Sequence, residues 1–246
     1  MICPKCNFKQ SDDNVECLQC GIIFSKYCNF DEIGFKTSVF FPEQVNMEEK
    51  KIKYLDKLLF DVETETSIVF LLGRIFLFCV IFFWGLKFII SPMASNFAAN
   101  SFLHIINKVI HEAGHLVFSP FGQFMMGIGG TLAQLVVPIF ILLIFLITNR
   151  DPLSASFCLW WFSENIMELA PYINDAKLQT FLQSDKSFLI GKGIHDWAFI
   201  LEELDLMNYA HLIANLVHTT GVALMLTSFI WIFKLLYKQI TQFMKS

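Results

Sequence analysis

Long runs of apolar residues place the strongest constraint on how this chain can fold. The first run, Ile68–Ile90, contains only Arg74 and Lys87 as charged residues, and Ser91-Pro92 ends it. About 20 predominantly apolar residues are enough for a helix to cross the hydrocarbon core of a bilayer. Charged residues make up 16% of the 246 residues, against about 25% in soluble domains. We therefore predict an all-α polytopic membrane protein.

Four further apolar segments follow the first one, and we expect about four to six membrane segments in all. They are Phe102–Phe118, Gly127–Thr148, Leu153–Tyr172 and Met207–Tyr237. Lysines before the first segment favour a cytosolic N-terminus, because positively charged residues flanking a span tend to stay inside.

Five complete spans would place the lysines at the C-terminal end on the opposite side, against the same rule. These are Lys234, Lys238 and Lys245. One segment is therefore a candidate for a re-entrant loop, either Gly127–Pro138 or Leu153–Tyr172.

The composition divides the chain into three regions. Residues 1–28 are polar and rich in cysteine, residues 29–66 form a charged linker, and residues 67–246 form the multi-span membrane domain. Within the linker, Met47–Phe60 has apolar residues at helical spacing. This pattern predicts a short amphipathic helix lying on the membrane surface or on the membrane domain. A solvated linker helix would show the same pattern.

Two Cys-x-x-Cys pairs lie within the first twenty residues, formed by Cys3, Cys6, Cys17 and Cys20. Four thiolates at this spacing suit one tetrahedral structural Zn²⁺, and Gly21 permits the tight turn after the second pair. The segment resembles the minimal zinc ribbons at the starts of many bacterial proteins. Reduced thiols are typical of the cytosol. We expect a multi-pass protein of the bacterial cytoplasmic membrane with a cytosolic N-terminus.

A His-Glu-x-x-His motif lies inside the second apolar segment, at His111, Glu112 and His115. Residues at i and i+4 share one face of a helix, so both imidazoles can bind one Zn²⁺ while the glutamate serves as general base. Ionisable residues in a membrane segment are costly and indicate function. The motif therefore predicts a catalytic zinc centre.

The motif's position in a membrane segment resembles the site-2 protease-like family of intramembrane zinc metalloproteases. A family element of the Gly-Pro-x-x-Asn type is similar to Gly130-Thr-Leu-Ala-Gln134 here. A later Asn, Pro and Asp in the family are similar to Asn165, Pro171 and Asp175. The resemblance covers about residues 101–176 and implies that Asp175 is the third zinc ligand.

The residues themselves leave the third ligand open, since zinc accepts several kinds of donor. His195 and Asp196 follow a Gly-Lys-Gly turn and could supply the ligand or support it. Glu164 or Glu168 would supply it in an arrangement like that of gluzincins.

Other polar residues of the membrane domain suggest supporting roles. Gln134 or Asn165 could hold an unwound substrate backbone, whose amides lack partners in the membrane. A polar stripe in the last segment could wall a hydrated cavity or join helices by hydrogen bonds. It consists of Asn208, His211, Asn215 and His218.

The function we expect is zinc-dependent endopeptidase activity on a peptide bond in or near a transmembrane segment of a protein substrate. The alternative is a non-enzymatic membrane zinc sensor, metal carrier or protease-like scaffold, which would not need Glu112. The expected partners are the bilayer, a membrane protein substrate and a protein that contacts the zinc ribbon. A net charge of −4 offers no basic surface for nucleic acid, so we expect no such partner.

Overall fold

The computed structural model describes residues 1–3, 5–24, 42–62, 67–95, 97–178, 180 and 196–245. Contacts divide the chain into two compact units, Met1–Lys51 and Ile52–Ser246. The seven α-helices of the described residues are α1 (Pro42–Phe60), α2 (Ile68–Ile90), α3 (Phe102–Phe118), α4 (Gln123–Leu143), α5 (Pro152–Asn174), α6 (Asp196–Glu203) and α7 (Ala210–Phe243).

Three of these helices have a side-chain cap at the N-terminus. The hydroxyl of Ser67 accepts a hydrogen bond from the backbone of α2, and Ser101 does the same for α3. Asp151 caps α5, where Pro152 occupies the first turn. Caps of this kind satisfy backbone N–H groups that have no partner within the helix.

Three helices of the described part of the chain are long and apolar enough to cross a membrane, judged by length and composition. They are Ile68–Ile90, Gln123–Thr148 and Met207–Phe243. The protein therefore has the helices of a membrane protein, but fewer candidate spans than the four to six we expected. Helix α3 has only 17 residues and carries the charged motif, whereas α5 carries Glu164 and Glu168.

Helix α5 is the central helix of the second unit. Fifteen of its 23 residues are buried, and its most extensive packing is against α7. Gly221 of α7 allows a close approach, because a Cβ at this position would lie 2.4 Å from Cγ of Met167. Protein therefore covers the polar residues of α5, which explains how they are tolerated among apolar helices.

One end of the second unit gathers the start of α2, the junction between α4 and α5, and the end of α7. Arg74, Arg150, Asp151 and Gln239 line a common cavity of about 340 Å³ there. At the opposite end of α5, Asn174 Oδ1 lies 2.8 Å from Nδ1 of His211, near the start of α7. Helix α5 therefore runs antiparallel to both α4 and α7, and neither candidate re-entrant segment reverses direction.

The same arrangement removes the conflict over the C-terminal lysines. Lys238 Nζ donates to the carbonyl of Phe60 at 2.6 Å, and Lys234 Nζ lies 5.8 Å from the centre of the Phe60 ring. The end of α7 therefore lies beside the chain that leads into α2, not at the opposite end as five complete spans would require.

The predicted amphipathic helix Met47–Phe60 lies within α1. Ile52 and Leu55 are exposed, whereas the carbonyl of Leu59 accepts a hydrogen bond from Trp231 Nε1 at 2.8 Å. The last turn of α1 thus packs against α7.

A tight connection through Ser119–Phe121 and Gly122 joins α3 to α4. The two helices cross closely at Gly114, where a Cβ would lie 2.3 Å from the carbonyl oxygen of Gly129. Small residues allow such close helix crossings. Gly114, the fourth residue of the His-Glu-Ala-Gly-His sequence, thus allows α4 to lie against the motif.

Candidate metal centres

The N-terminal segment is built from two similar turns, one at each Cys-x-x-Cys pair. The N–H of Cys3 donates to the carbonyl of Phe8, and the N–H of Cys17 donates to that of Ile22, both at 2.8 Å. Asn7 and Gly21 occupy equivalent positions with φ of 59° and 67°. The prediction of a turn at Gly21 is confirmed, whereas the left-handed conformation of Asn7 was not anticipated.

The two turns bring their four cysteines into one cluster, which we call the four-cysteine site. Sγ of Cys3 lies 3.6 Å from Sγ of Cys20, and Cys6 and Cys17 show the same separation. None of the four forms a disulfide. Sulfurs bound tetrahedrally to Zn²⁺ at about 2.3 Å would be about 3.8 Å apart. The four-cysteine site can therefore hold a metal ion such as zinc.

Two of these thiols differ in acidity. Burial works to raise the pKa of Cys17, but backbone N–H groups of Cys20 and Gln19 outweigh it and lower this pKa to about 6. The Phe8 N–H works to lower the pKa of Cys6, but burial and the neighbouring thiols raise it to about 12. Zn²⁺ binds thiolates, so metal binding at this site releases protons from the thiols.

A second group of potential metal ligands is formed by His111, His115 and Asp196, whose ligand atoms all lie within 4.8 Å of one another. Oδ2 of Asp196 lies 3.0 Å from Nε2 of His111 and 3.2 Å from Nε2 of His115. The side chains are 15%, 21% and 24% exposed, in the order His111, His115, Asp196. The group is therefore partly covered and still open to a small molecule.

Hydrogen bonds on the far side of each ring determine which nitrogen faces the aspartate. Nδ1 of His115 lies 2.7 Å from the carbonyl oxygen of Met126, which can only accept, so this nitrogen carries the proton. Nδ1 of His111 lies 3.0 Å from Oε1 of Gln134. With Nδ1 protonated, each neutral ring presents a lone pair on Nε2. Two lone pairs and a carboxylate oxygen then converge, an arrangement that a cation stabilises.

This donor set fits a zinc ion. Zn²⁺ binds histidine nitrogen and carboxylate oxygen at about 2.0–2.2 Å, which separates tetrahedral ligands by about 3.3 Å. The distances from Asp196 Oδ2 to the two Nε2 atoms match that value closely. Hydrogen bonds from Nδ1 to fixed acceptors are the usual support of metal-binding histidines. Three protein ligands leave a fourth position for water or substrate, as in catalytic zinc sites.

Gly130 of α4 lies directly against the two histidines. A Cβ at this position would lie 2.5 Å from Nε2 of His111 and 2.6 Å from Nε2 of His115. Any other residue would therefore fill the space in front of the two ligand atoms. Gly130 and Gln134 are the two ends of the Gly130-Thr-Leu-Ala-Gln134 element described above. Both contact the His-Glu-x-x-His motif.

Asp196 reaches the histidines because α6 packs against α4. Ala198, Ile200 and Leu201 of α6 are buried, and the ring of Phe199 lies against Gly127, where a Cβ would be 3.0 Å from Cδ1 of the ring. The first residue of α6 is thereby brought beside α3, 85 residues away in the sequence from His111.

The structure does not bring Asp175, the ligand implied by the family resemblance, into this group. Asp175 is the C-terminal cap of α5, and its side chain accepts a hydrogen bond from Asn174. Asp196 lies beside the two histidines instead, because α6 and not the end of α5 faces the motif. His195 lies outside the described residues.

Glu164 and Glu168, the ligands that a gluzincin-like arrangement would use, are buried and face a different part of α3. Both accept hydrogen bonds from Asn107, at 2.9 and 2.6 Å, and neither belongs to the metal-ligand group. Gln134 is buried with them, and its amide donates to Glu168 at 3.2 Å. Gln134 therefore supports His111, and its burial leaves it inaccessible to a substrate backbone.

The remaining predicted residues have separate environments. Asn165 is fully buried and donates to the carbonyl of Trp161 in its own helix. In the polar stripe, His211 joins α7 to Asn174 of α5 and lies 3.1 Å from Nδ2 of Asn215. Glu112 is exposed and is near enough to His111 to interact with it electrostatically.

Comparisons of the chain with protein-family models, with curated proteins and with solved structures find no match. The two ligand groups and their surroundings therefore carry the functional argument by themselves.

Proposed function

We propose that this chain is a zinc-dependent endopeptidase that hydrolyses a peptide bond in or near a transmembrane segment of a protein substrate. The convergence of His111, His115 and Asp196, with Glu112 beside them on α3, is the observation that carries the proposal. Three apolar helices long enough to span a membrane support a site of action at the bilayer.

The side chains suit each step of such a hydrolysis. Zn²⁺ held by His111, His115 and Asp196 would act as a Lewis acid on the scissile carbonyl and on the attacking water. Glu112 is exposed beside these residues. It accepts a proton from the water as the water oxygen attacks the carbonyl carbon. The same carboxyl then gives the proton to the leaving amide nitrogen as the C–N bond breaks. The partial exposure of the ligands lets water enter.

The four-cysteine site has a structural part in this proposal. It holds a second Zn²⁺ that orders residues 1–24, because so short a segment lacks a core of its own and depends on metal to fold. The segment also presents a surface to a protein partner.

The test compares wild-type protein with Glu112→Gln and with the double variant His111→Ala/His115→Ala. Metal analysis in detergent should give two zinc ions for wild type and Glu112→Gln, and one for the double variant. Membranes containing each protein are then analysed for new protein N-termini by terminal labelling and mass spectrometry. New termini should appear with wild type and be lost with Glu112→Gln, whose general base is worth about 10²- to 10⁴-fold in rate.

The same experiment separates the protease from a zinc sensor, metal carrier or scaffold. Such a protein would hold two zinc ions and yield the same termini whether or not Glu112 is present. One zinc ion in both wild type and the double variant would show that His111 and His115 do not hold a metal ion.

A further inference from the structure

We infer that Glu168 is a positioning residue that strengthens metal binding at the membrane centre by acting through Gln134 on His111. The inference rests on the proposed function, because it concerns the metal centre of that proposal. It adds a chain of three side chains on three helices, α5, α4 and α3, that extends from the metal ligand into the protein interior.

The two neighbours of the Gln134 amide fix its orientation. A glutamine can present either its oxygen or its nitrogen to a neighbour, so contact with a ring does not by itself fix the proton on that ring. Nε2 of Gln134 lies 3.2 Å from Oε2 of Glu168. A carboxylate only accepts hydrogen bonds, so it draws the NH₂ group toward itself and turns Oε1 toward His111.

This orientation of the amide determines which nitrogen of His111 carries the proton. Oε1 of Gln134 lies 3.0 Å from Nδ1 of the ring and needs a donor there. The proton is therefore held on Nδ1, and Nε2 keeps the lone pair that binds metal. The negative charge of Glu168 polarises the amide between them and makes the ring a stronger ligand.

Hydrogen bonds also hold the carboxyl group of Glu168 in place. Asn107 and Gln134 donate to Oε2, and Nδ1 of His104 contacts Oε1. Trp161 in turn donates to Oδ1 of Asn107 at 2.9 Å, which leaves the Asn107 amide pointing at the carboxylates. These contacts fix the position from which the Glu168 carboxyl accepts the hydrogen bond of Gln134.

Glu164 provides a contrast within the same helix. It lies one turn away and shares the Asn107 amide, at 2.9 Å from Oε2, but its Oε1 is buried without a hydrogen-bond partner among the described residues. It makes no hydrogen bond to Gln134. The structure thus contains a matched control: Glu164 has similar burial and one common partner, but no link to the metal ligand.

The experiment titrates full-length, metal-depleted protein in detergent with Co²⁺ and reads two absorption signals. Thiolate-to-cobalt charge transfer in the near ultraviolet reports the four-cysteine site. The visible bands that remain after subtraction of the spectrum of the His111→Ala/His115→Ala variant report the site without sulfur ligands. We expect Glu168→Gln to weaken cobalt binding at the second site by about 3- to 10-fold, and Gln134→Leu by about 10- to 100-fold. Glu164→Gln should change it less than about 2-fold, and binding at the four-cysteine site should be the same in all proteins.

A double variant tests whether Glu168 acts through Gln134. In a Gln134→Leu background, Glu168→Gln should cause no further loss, because coupled residues are not additive. Equal losses for Glu168→Gln and Glu164→Gln, or an undiminished loss in the double variant, would overturn the inference. If Glu168→Gln does not accumulate as folded protein, the Gln134→Leu variant is the test. An unchanged cobalt affinity of the second site in Gln134→Leu would also overturn the inference. A wild-type protein with only one cobalt site would instead refute the proposed function.

Discussion

Gly130 lies so close to His111 that a Cβ on the glycine would be 2.5 Å from Nε2 of the ring. Real Cβ atoms do not approach other atoms this closely, so an added methyl group must displace the imidazole or α4. The space that it would occupy is the space in front of the ligand atoms.

We therefore expect Gly130→Ala to lose the metal of the membrane centre while the four-cysteine site keeps its own. Zinc content should fall from two ions to one, and overpacking should lower the free energy of unfolding by about 1–3 kcal/mol. Gly73→Ala in α2 is the matched control, because a Cβ there meets nothing within 4 Å. Two zinc ions in Gly130→Ala would show that the glycine is not needed for the site.

The choice between two aspartates provides a second prediction. Asp196→Asn should weaken metal binding at the membrane centre by more than about 100-fold, since even outer partners of metal ligands contribute about 10- to 100-fold. Asp175→Asn should leave it unchanged, because Asp175 contacts Asn174 and not the histidines. Competition against a zinc chelator measures both constants. A larger loss of metal binding for Asp175→Asn than for Asp196→Asn would support Asp175, the ligand that the family resemblance implies.

Helix direction predicts which positions share a membrane face. Arg150, at the junction between α4 and α5, and Lys245, just after α7, lie at the end of the unit where α2 begins. Ser95, just after α2, lies beyond its opposite end. Cysteines introduced at Arg150 and Lys245 should react with an impermeant thiol reagent from one side of sealed vesicles, and a cysteine at Ser95 from the other. Labelling of Ser95→Cys from the same side as Arg150→Cys would contradict the antiparallel arrangement.

Removal of metal should affect the two units differently. A strong chelator should make residues 1–24 sensitive to protease, because a bound metal joins the two turns more firmly than the hydrogen bonds of Gln10 to Glu16 and Leu18 do. The helices from α2 to α7 should keep their circular dichroism signal, since apolar packing and backbone hydrogen bonds hold them. Cys3→Ser should reproduce the protease sensitivity without chelator. Resistance of the N-terminal segment in metal-free protein would mean that its hydrogen bonds suffice.

Local patterns in the sequence predict the parts of the sites that lie within one helix or one turn. The spacing of His111 and His115 places both rings on one face of α3, and the two Cys-x-x-Cys pairs predict the cluster of four sulfurs. Helical geometry or turn geometry alone determines both results. For the same reason the prediction of a turn at Gly21 could be made without knowledge of the fold.

The carboxylate that lies beside the two histidines could not be predicted in this way, because its position depends on packing between distant segments. Asp196 meets His111 only because Phe199 fits against Gly127 of α4. The pair His195-Asp196 after a Gly-Lys-Gly sequence was a signal for it, but the order of Asn165, Pro171 and Asp175 favoured another part of the chain. The role of Gln134 was missed for a similar reason, since its two partners belong to α3 and α5.

The number of spans was overestimated because hydropathy was read segment by segment. The polar residues of α5 are covered by neighbouring helices, so its composition reflects contact with protein and not with lipid.

The polarity of α5 also has a consequence for the order in which the protein is assembled. A charged residue near the centre of a helix opposes membrane insertion by about 2.5–3.5 kcal/mol, and α5 carries both Glu164 and Glu168 near its middle. The helix that covers much of it, α7, is synthesised afterwards. During biosynthesis α5 must therefore stay sheltered from lipid, beside α3 and α4, until α7 emerges and completes its surroundings.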